Sequence, residues 1–346
     1  MPHVVDGMVQ ADLGSGTVRS KCACGSVQIE ISNISPTTVA AASCHCRKCR
    51  KYHISAFTNY LIVKSGQVSF IKGDDRESSP NNQKYSKLYK DSCDEIGAVE
   101  RLFCQNCYSK IWTRRRSHSS SKSRDVFDGQ SEEKEEEDDI VLVNMGPLDD
   151  DTVSPECSTS WKENIEQWQL DQACTWTHAT PKLRNIARGK MPTKQASMVT
   201  GGCSCGTYLY EFPVRYESTV LELQHCYCRL CRRLSGSPFA TWVPVGIDEL
   251  EWKRTSEDTA THNPPQMIRT TPFGQRHVCP NCAGVLTIVY DSQPDLVWPA
   301  AGGFDDSNVP RNFDHFLGRV IHICCRWKQS WYDIPLDGMQ QLENAC

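Results

Sequence analysis

The sequence predicts a mainly β protein made of two tandem antiparallel β domains, and three observations carry that reading. Seven cysteines recur in the same order and grouping in each half of the 346-residue chain. Short segments around them alternate apolar and polar residues with the period of two that half-buried strands show. Helical periodicity is weak, with Ser160 to Gln172 the best candidate, as a helix closing the first domain.

The cysteine groups set the order of the elements. The first half carries Cys22-Ala-Cys24, then Cys44-His-Cys46-Arg-Lys-Cys49, then Cys104-Gln-Asn-Cys107. The second carries Cys203-Ser-Cys205, Cys226-Tyr-Cys228-Arg-Leu-Cys231 and Cys279-Pro-Asn-Cys282, at offsets of 181, 182 and 175. A repeat of this kind marks a tandem duplication. Strands are expected at Ser26 to Glu30, Phe57 to Val63, Thr207 to Glu211, Phe239 to Val245 and Val285 to Tyr290. Pro244 puts its strand at a sheet edge or ends it. Lys182 to Gln195, with Gly189 and Pro192, reads as a connection. Gly146-Pro-Leu-Asp149-Asp150 matches Gly302-Gly-Phe-Asp305-Asp306, but lies 39 residues beyond its last cysteine pair rather than 20. The excess locates an insertion at 117–139, where a Ser/Lys/Arg run precedes a Glu/Asp run. Its composition predicts a disordered loop, with a regulatory or partner-binding tail as the alternative. The expected divisions are a tail at 1–17, a first domain at 18–170, a linker at 171–197, a second domain at 198–336 and a tail at 337–346.

Two elements that each present a pair of cysteines can complete a tetrahedral zinc site. Cys22, Cys24, Cys104 and Cys107 make one four-thiolate set; Cys203, Cys205, Cys279 and Cys282 make the other. Such a set leaves no room for substrate, so its expected role is structural. The triplets Cys44, Cys46, Cys49 and Cys226, Cys228, Cys231 leave zinc a fourth position, the mark of a catalytic site. The alternative is closure by a further ligand, with His45, His225 and Cys93 as candidates. Four zinc ions per chain are expected, two per domain. Basic residues crowd both triplets: Arg47, Lys48, Arg50 and Lys51 in one, Arg229, Arg232 and Arg233 in the other. They can balance the thiolates or hold the carboxylates of an anionic thiol substrate. Asp305 and Asp306 read as turn residues and His322 as a hydrogen-bonded core residue. Cys93, Cys157, Cys174, Cys324, Cys325 and Cys346 lie outside the motifs and read as small buried side chains.

Composition narrows the partners. The net charge is −4, and residues 131–139 alone contribute −6, so the remainder is close to neutral. A nucleic-acid-binding surface would need a clear basic excess, so no nucleic-acid partner is expected. No apolar run reaches the roughly 18 residues of a membrane span. The amino terminus lacks the blocks of a secretory signal, which makes an intracellular, cytoplasmic setting the expectation. With 20 cysteines in a reducing compartment, metal binding or catalysis is expected over disulfides.

Gly202-Cys203-x-Cys205-Gly206, Cys226-x-Cys228-Arg229-x-Cys231-Arg232-Arg233-x-Ser235-Gly236-Ser237-x-Phe239, Cys279-x-x-Cys282, Gly302-x-Phe304-Asp305-Asp306 and the late His322-Ile323, Trp327 and Trp331 form an ordered set. That set resembles the glutathione-dependent formaldehyde-activating enzyme (Gfa)/centromere protein V family, over about residues 198–336 and, in the first copy, about 18–150. The resemblance implies an Mss4-like β fold with one structural and one three-cysteine zinc per domain. It also implies carbon–sulfur lyase activity on thiol adducts, the prototype joining glutathione and formaldehyde to S-(hydroxymethyl)glutathione. By that resemblance Cys226, Cys228 and Cys231 match the catalytic zinc ligands, and glutathione and an aldehyde are the implied partners. A non-catalytic zinc-stabilised interaction module of the centromere protein V type is the alternative. The first copy has His53-Ile54-Ser55 where the second has Ser235-Gly236-Ser237, and Ile54 does not easily give the close approach or positive φ open to glycine. The second domain is therefore expected to hold the better-formed site.

Overall fold

The computed structural model describes residues 16–36, 39–73, 85–93, 97–115, 140–168, 197–214, 221–254, 265–305 and 317–344. The insertion at 117–139, most of the linker, Asp306, Cys174 and Cys346 lie outside them. The protein is mainly β, and its sheets are largely antiparallel. In the first half a three-stranded sheet pairs Gly16–Lys21 with Gln28–Ile34 and that strand with Val68–Lys72. A seven-stranded sheet runs from Glu166–Trp168 through Ala40–Cys44, Thr58–Lys64, Ile140–Asn144, Lys110–Arg115 and Gly97–Cys104 to Ser86–Cys93. The second half repeats the three-stranded sheet with Ser197–Gly202, Tyr208–Val214 and Glu251–Arg254. It divides the larger one in two around Leu221–Cys226 and Val285–Tyr290.

The expected strands at 57–63 and 285–290 appear as Thr58–Lys64 and Val285–Tyr290. The strand expected at Ser26 starts two residues later, because the Val27 amide is turned back to donate to Cys22 Sγ at 3.2 Å. Pro244 ends the strand Ala240–Trp242, which it cannot extend without an amide hydrogen. The expected helix at 160–172 is corrected. It is α2, Pro155–Asn164, and the chain then straightens into Glu166–Trp168, parallel to Ala42–Cys44. Ser154 caps α2 by accepting from the Cys157 amide and Pro155 opens its first turn, a start signal that periodicity alone overlooked. No described helix is long and apolar enough to cross a membrane.

Among the described residues each sheet takes its strands from one half, but the cores are shared. Leu234 and Trp331 of the second half join the cluster around Val18, Ile31 and Trp112; Ile54, Phe103 and Tyr108 of the first join that around Trp242 and Ile288. The contacts are reciprocal, as a pseudo-twofold axis requires. Gly146 lies against Gly236 and Ser237, and Gly302 against Arg50, Ile54 and Ser55, so closely that an added Cβ would overlap backbone in both places. Lys110, fully buried, donates to the carbonyls of Tyr108 and Ala283, which follow Cys107 and Cys282 in their respective halves. Burial pushes its amine down to about 7.

Candidate metal centres

Local turns build the two four-cysteine clusters. Gly25 and Gly206 take φ of +73° and +76°, which closes each Cys-x-Cys-Gly turn and lets the amide two residues on, Val27 or Tyr208, donate to the first sulfur. In the Cys-x-x-Cys turns, Tyr108 and Ala283 take φ of 62° and 59° without being glycine. Neighbouring sulfurs lie 3.5 and 3.7 Å apart in the first cluster, and 3.5 and 3.6 Å apart in the second. A tetrahedron of sulfurs about 2.3 Å from one metal has edges of about 3.8 Å, so these sets fit a four-coordinate ion. Their titration points the same way. Hydrogen bonding to Cys104 drives the Cys24 thiol down, and hydrogen bonding to Cys107 drives the Cys104 thiol up, so without a cation the four cannot ionise together.

The triplets share one local design. Cys46 caps helix α1 (Arg47–His53) and Cys228 caps helix α3 (Arg229–Ser235), with identical φ and ψ of −60° and 151°. Each capping sulfur accepts from the amide of the last cysteine of its triplet at 3.4 Å. Both helices end in a left-handed residue, Gly236 in one and Ile54 in the other. Ile54 does adopt the positive φ that its side chain disfavours, held by packing against Cys226, Trp242 and their neighbours.

What distinguishes the triplets comes from elsewhere in the fold. In the first half all three sulfurs are buried, and Cys49 Sγ meets Tyr60 Oη at 3.4 Å and Arg101 Nη2 at 3.7 Å. Asp91 holds that guanidinium at 3.0 Å and itself accepts from Ser204 Oγ of the second half. In the second half Cys226, Cys228 and Cys231 line a cavity of about 690 Å³ with Arg229, Arg276, Tyr290 and Trp327. Arg276 is the counterpart of Arg101, 175 residues on, and by strand register Thr270 stands where Asp91 stands. Its guanidinium donates to the Thr270 hydroxyl, while its buried Nε has no partner among the described residues. Among the described residues no carboxylate pairs with this cation, which lines the cavity.

Sequence reasoning did not single out Arg276. The available signal was that Arg101 and Arg276 keep the offset of the last cysteine pair. Of the three arginines expected near the second triplet, Arg229 lines the cavity, its guanidinium 4.8 Å over the Trp327 ring. Arg232 and Arg233 are drawn away to Asp150 and Asp149 of the first half, at 3.4 and 2.9 Å. Asp305 answers reciprocally, bonding Lys51 and Arg47 at 2.6 and 2.7 Å, so it links the halves rather than capping a turn. His45 and His225 join no sulfur cluster among the described residues, and the side chain of Cys93 lies outside them. Cys157 and Cys325 are buried free thiols, whereas Cys324 is disulfide-bonded, with its sulfur 3.9 Å from Cys226 Sγ. His322 is buried between Tyr227 Oη at 2.9 Å and Asp337 at 3.1 Å.

The family model described as glutathione-dependent formaldehyde-activating enzyme matches residues 17–132 and 198–318, two segments that each contain a complete set of seven cysteines. The chain belongs to this family. The double match fits a tandem duplication of the family's unit. A Halomonas elongata protein with the provisional name of a glutathione-dependent formaldehyde-activating enzyme is 28% identical over 138 residues, spanning 40% of this chain and 81% of that protein. The four sulfur clusters are each arranged so that they could hold a metal ion.

Proposed function

We propose that this chain is a zinc-dependent carbon–sulfur lyase of the S-(hydroxymethyl)glutathione synthase type, working at Cys226, Cys228 and Cys231. One contrast carries the reading: the second triplet opens into a cavity beside Arg276, which has no carboxylate partner among the described residues, while the first is buried with Cys49 against Arg101, already paired with Asp91. Zinc held by the three thiolates would supply Lewis acidity toward the aldehyde oxygen or stabilise the substrate thiolate. The chain's own residues do the remainder. Arg276 and Arg229 offer forked donors to the carboxylates of a thiol peptide. Tyr290, Trp298 and Trp327 wall the cavity and hold thiol and aldehyde together, which lowers the entropic barrier to carbon–sulfur bond formation. Among the described residues no imidazole or carboxylate lines the cavity, so the proposal assigns no side-chain base, and the proton moves from thiol to hydroxymethyl oxygen through water.

The same reading gives Cys22, Cys24, Cys104, Cys107 and Cys203, Cys205, Cys279, Cys282 to structural zinc. Four ions per chain result, or three if Arg101 keeps the first triplet empty. The test is NMR exchange between labelled formaldehyde and glutathione, with and without the zinc-loaded protein. Acceleration lost in Cys228→Ser and kept in Cys46→Ser supports it. No acceleration by the intact protein would favour a non-catalytic zinc-stabilised interaction module.

A further inference from the structure

A second cavity, of about 260 Å³, lies where the two halves meet and shares no residue with the first. Strand alternation separates them: His225 and His322 point into the second cavity, while their neighbours Cys226, Ile321 and Ile323 line the first. The second cavity sits on the pseudo-twofold axis. Ser43, His45 and Phe57 line it together with His225, Tyr227 and Phe239, which are their counterparts at the triplet offset of 182. Its walls include a cluster of aromatic rings. Phe57 and Phe239 meet edge to face at 5.4 Å, and Tyr332 lies 6.3 and 5.9 Å from them.

The polar atoms of this lining include the acceptor Asn59 Oδ1 and the donor Trp331 Nε1, neither of which has a partner among the described residues. Both residues are 2% exposed. Buried polar groups of native proteins are nearly always satisfied, so an orphan donor and an orphan acceptor in one cavity imply something that supplies both. Both carboxylates at the cavity are bound within the protein, Asp333 to Lys162 at 3.0 Å and Asp337 to His322 Nε2 at 3.1 Å. The orphan atoms themselves are an uncharged donor and an uncharged acceptor, which a neutral molecule matches. The volume falls just below the roughly 300–1,000 Å³ of pockets for drug-sized ligands, which suits one ring or a fused pair.

We propose that this cavity binds a small, neutral, flat heteroaromatic molecule with an amide or lactam edge, its ring packed against the cluster of Phe57, Phe239 and Tyr332 and its N–H and C=O toward Asn59 and Trp331. The site is independent of the lyase reading, since neither its walls nor its orphan atoms belong to the sulfur centre. Nicotinamide and hypoxanthine are suitable probes, and toluene presents a ring without the edge. Saturation-transfer NMR titrations on the full zinc-loaded chain should show saturable binding of at least one of the two probes, at least tenfold tighter than toluene. Asn59→Leu and Trp331→Phe should each weaken it about tenfold, the loss of one hydrogen bond, while Cys228→Ser leaves it unchanged. Absence of saturable binding by both probes up to about 10 mM, or toluene binding as tightly, overturns the proposal and leaves the orphan atoms to ordered water. The probe-to-toluene ratio is read on the unaltered chain, so a variant that fails to fold does not block the decision. Folded variants that bind as the parent does overturn the assignment to this cavity.

Discussion

Replacing Gly146 by alanine tests the reciprocal packing of the halves most sharply. The added methyl would sit 2.6 Å from the Gly236 carbonyl carbon and the Ser237 nitrogen, and closer still to the Arg232 carbonyl. These are backbone atoms, so no side chain can rotate aside. Restoring an ordinary 3.4 Å contact at the closest of these atoms requires the loop and the end of α3 to separate by about 1 Å. That displacement strains the Gly146 amide bond to Gly236, now 3.1 Å, and the three carbonyl bonds that Gln329 of the second half makes to Met145, Gly146 and Leu148. Overpacking of a well-filled interior costs about 1–3 kcal/mol, and the backbone obstruction places this case toward the upper end. Urea unfolding of zinc-loaded protein should therefore show Gly146→Ala less stable by about 2–3 kcal/mol. Because α3 carries Cys231, the turnover proposed for the second half should fall although the substitution is in the first. Gly302→Ala, against Arg50 and Ile54, should behave alike, and the double variant should lose less than the sum, since one opening relieves both overlaps. Stability within about 0.3 kcal/mol of the parent, with unchanged turnover, would refute the reciprocal clasp.

Further outcomes follow from the asymmetry of the centres. On the proposed function, Arg276→Met should raise KM for glutathione at least tenfold with a smaller change in kcat, as steady-state kinetics would read, because the cation would bind ground state and transition state alike. Arg101→Met should leave KM unaltered but destabilise the fold by about 3–5 kcal/mol in chemical denaturation, since Asp91 loses its buried partner. His53 is held well below the usual imidazole range by burial and then by the nearby Arg101 charge, and bonds Ser235 O and Tyr60 Oη as the neutral ring. Below the unfolded value near 6.5 the unfolded chain takes up a proton that the native one refuses. Stability should thus fall as pH drops from about 6.5 toward 5, by up to about 1.4 kcal/mol per unit. His53→Asn should remove that part of the slope in pH-dependent unfolding. Metal analysis of freshly reduced protein should give three or four zinc ions per chain; two or fewer would sink the assignment of the sulfur sets.

Much of the architecture was legible because it rests on short-range chemistry. Cysteine spacing groups the sulfurs wherever the chain folds, and the four clusters in the structure are the four groups read from the repeat. Period-two alternation marks strands such as Val285–Tyr290 for the same reason, since it depends only on which residues share a face. The inequality of the two triplets was expected from Ile54, yet Ile54 takes the same left-handed turn as Gly236. The difference lies instead in Asp91 and Thr270, which meet their arginines across a hairpin and belong to no motif.

The sequence by itself determined the β class, the duplication and the sulfur sets, all of which follow from local spacing and from one half resembling the other. Only the tertiary structure decided that Asp149, Asp150 and Asp305 serve the opposite half, that Arg232 and Arg233 are turned from the cavity while Arg276 faces it, and that a second cavity lies on the axis between the copies. Those features depend on how two similar surfaces pack. No periodicity within one copy records which residues a rotation will bring against the other.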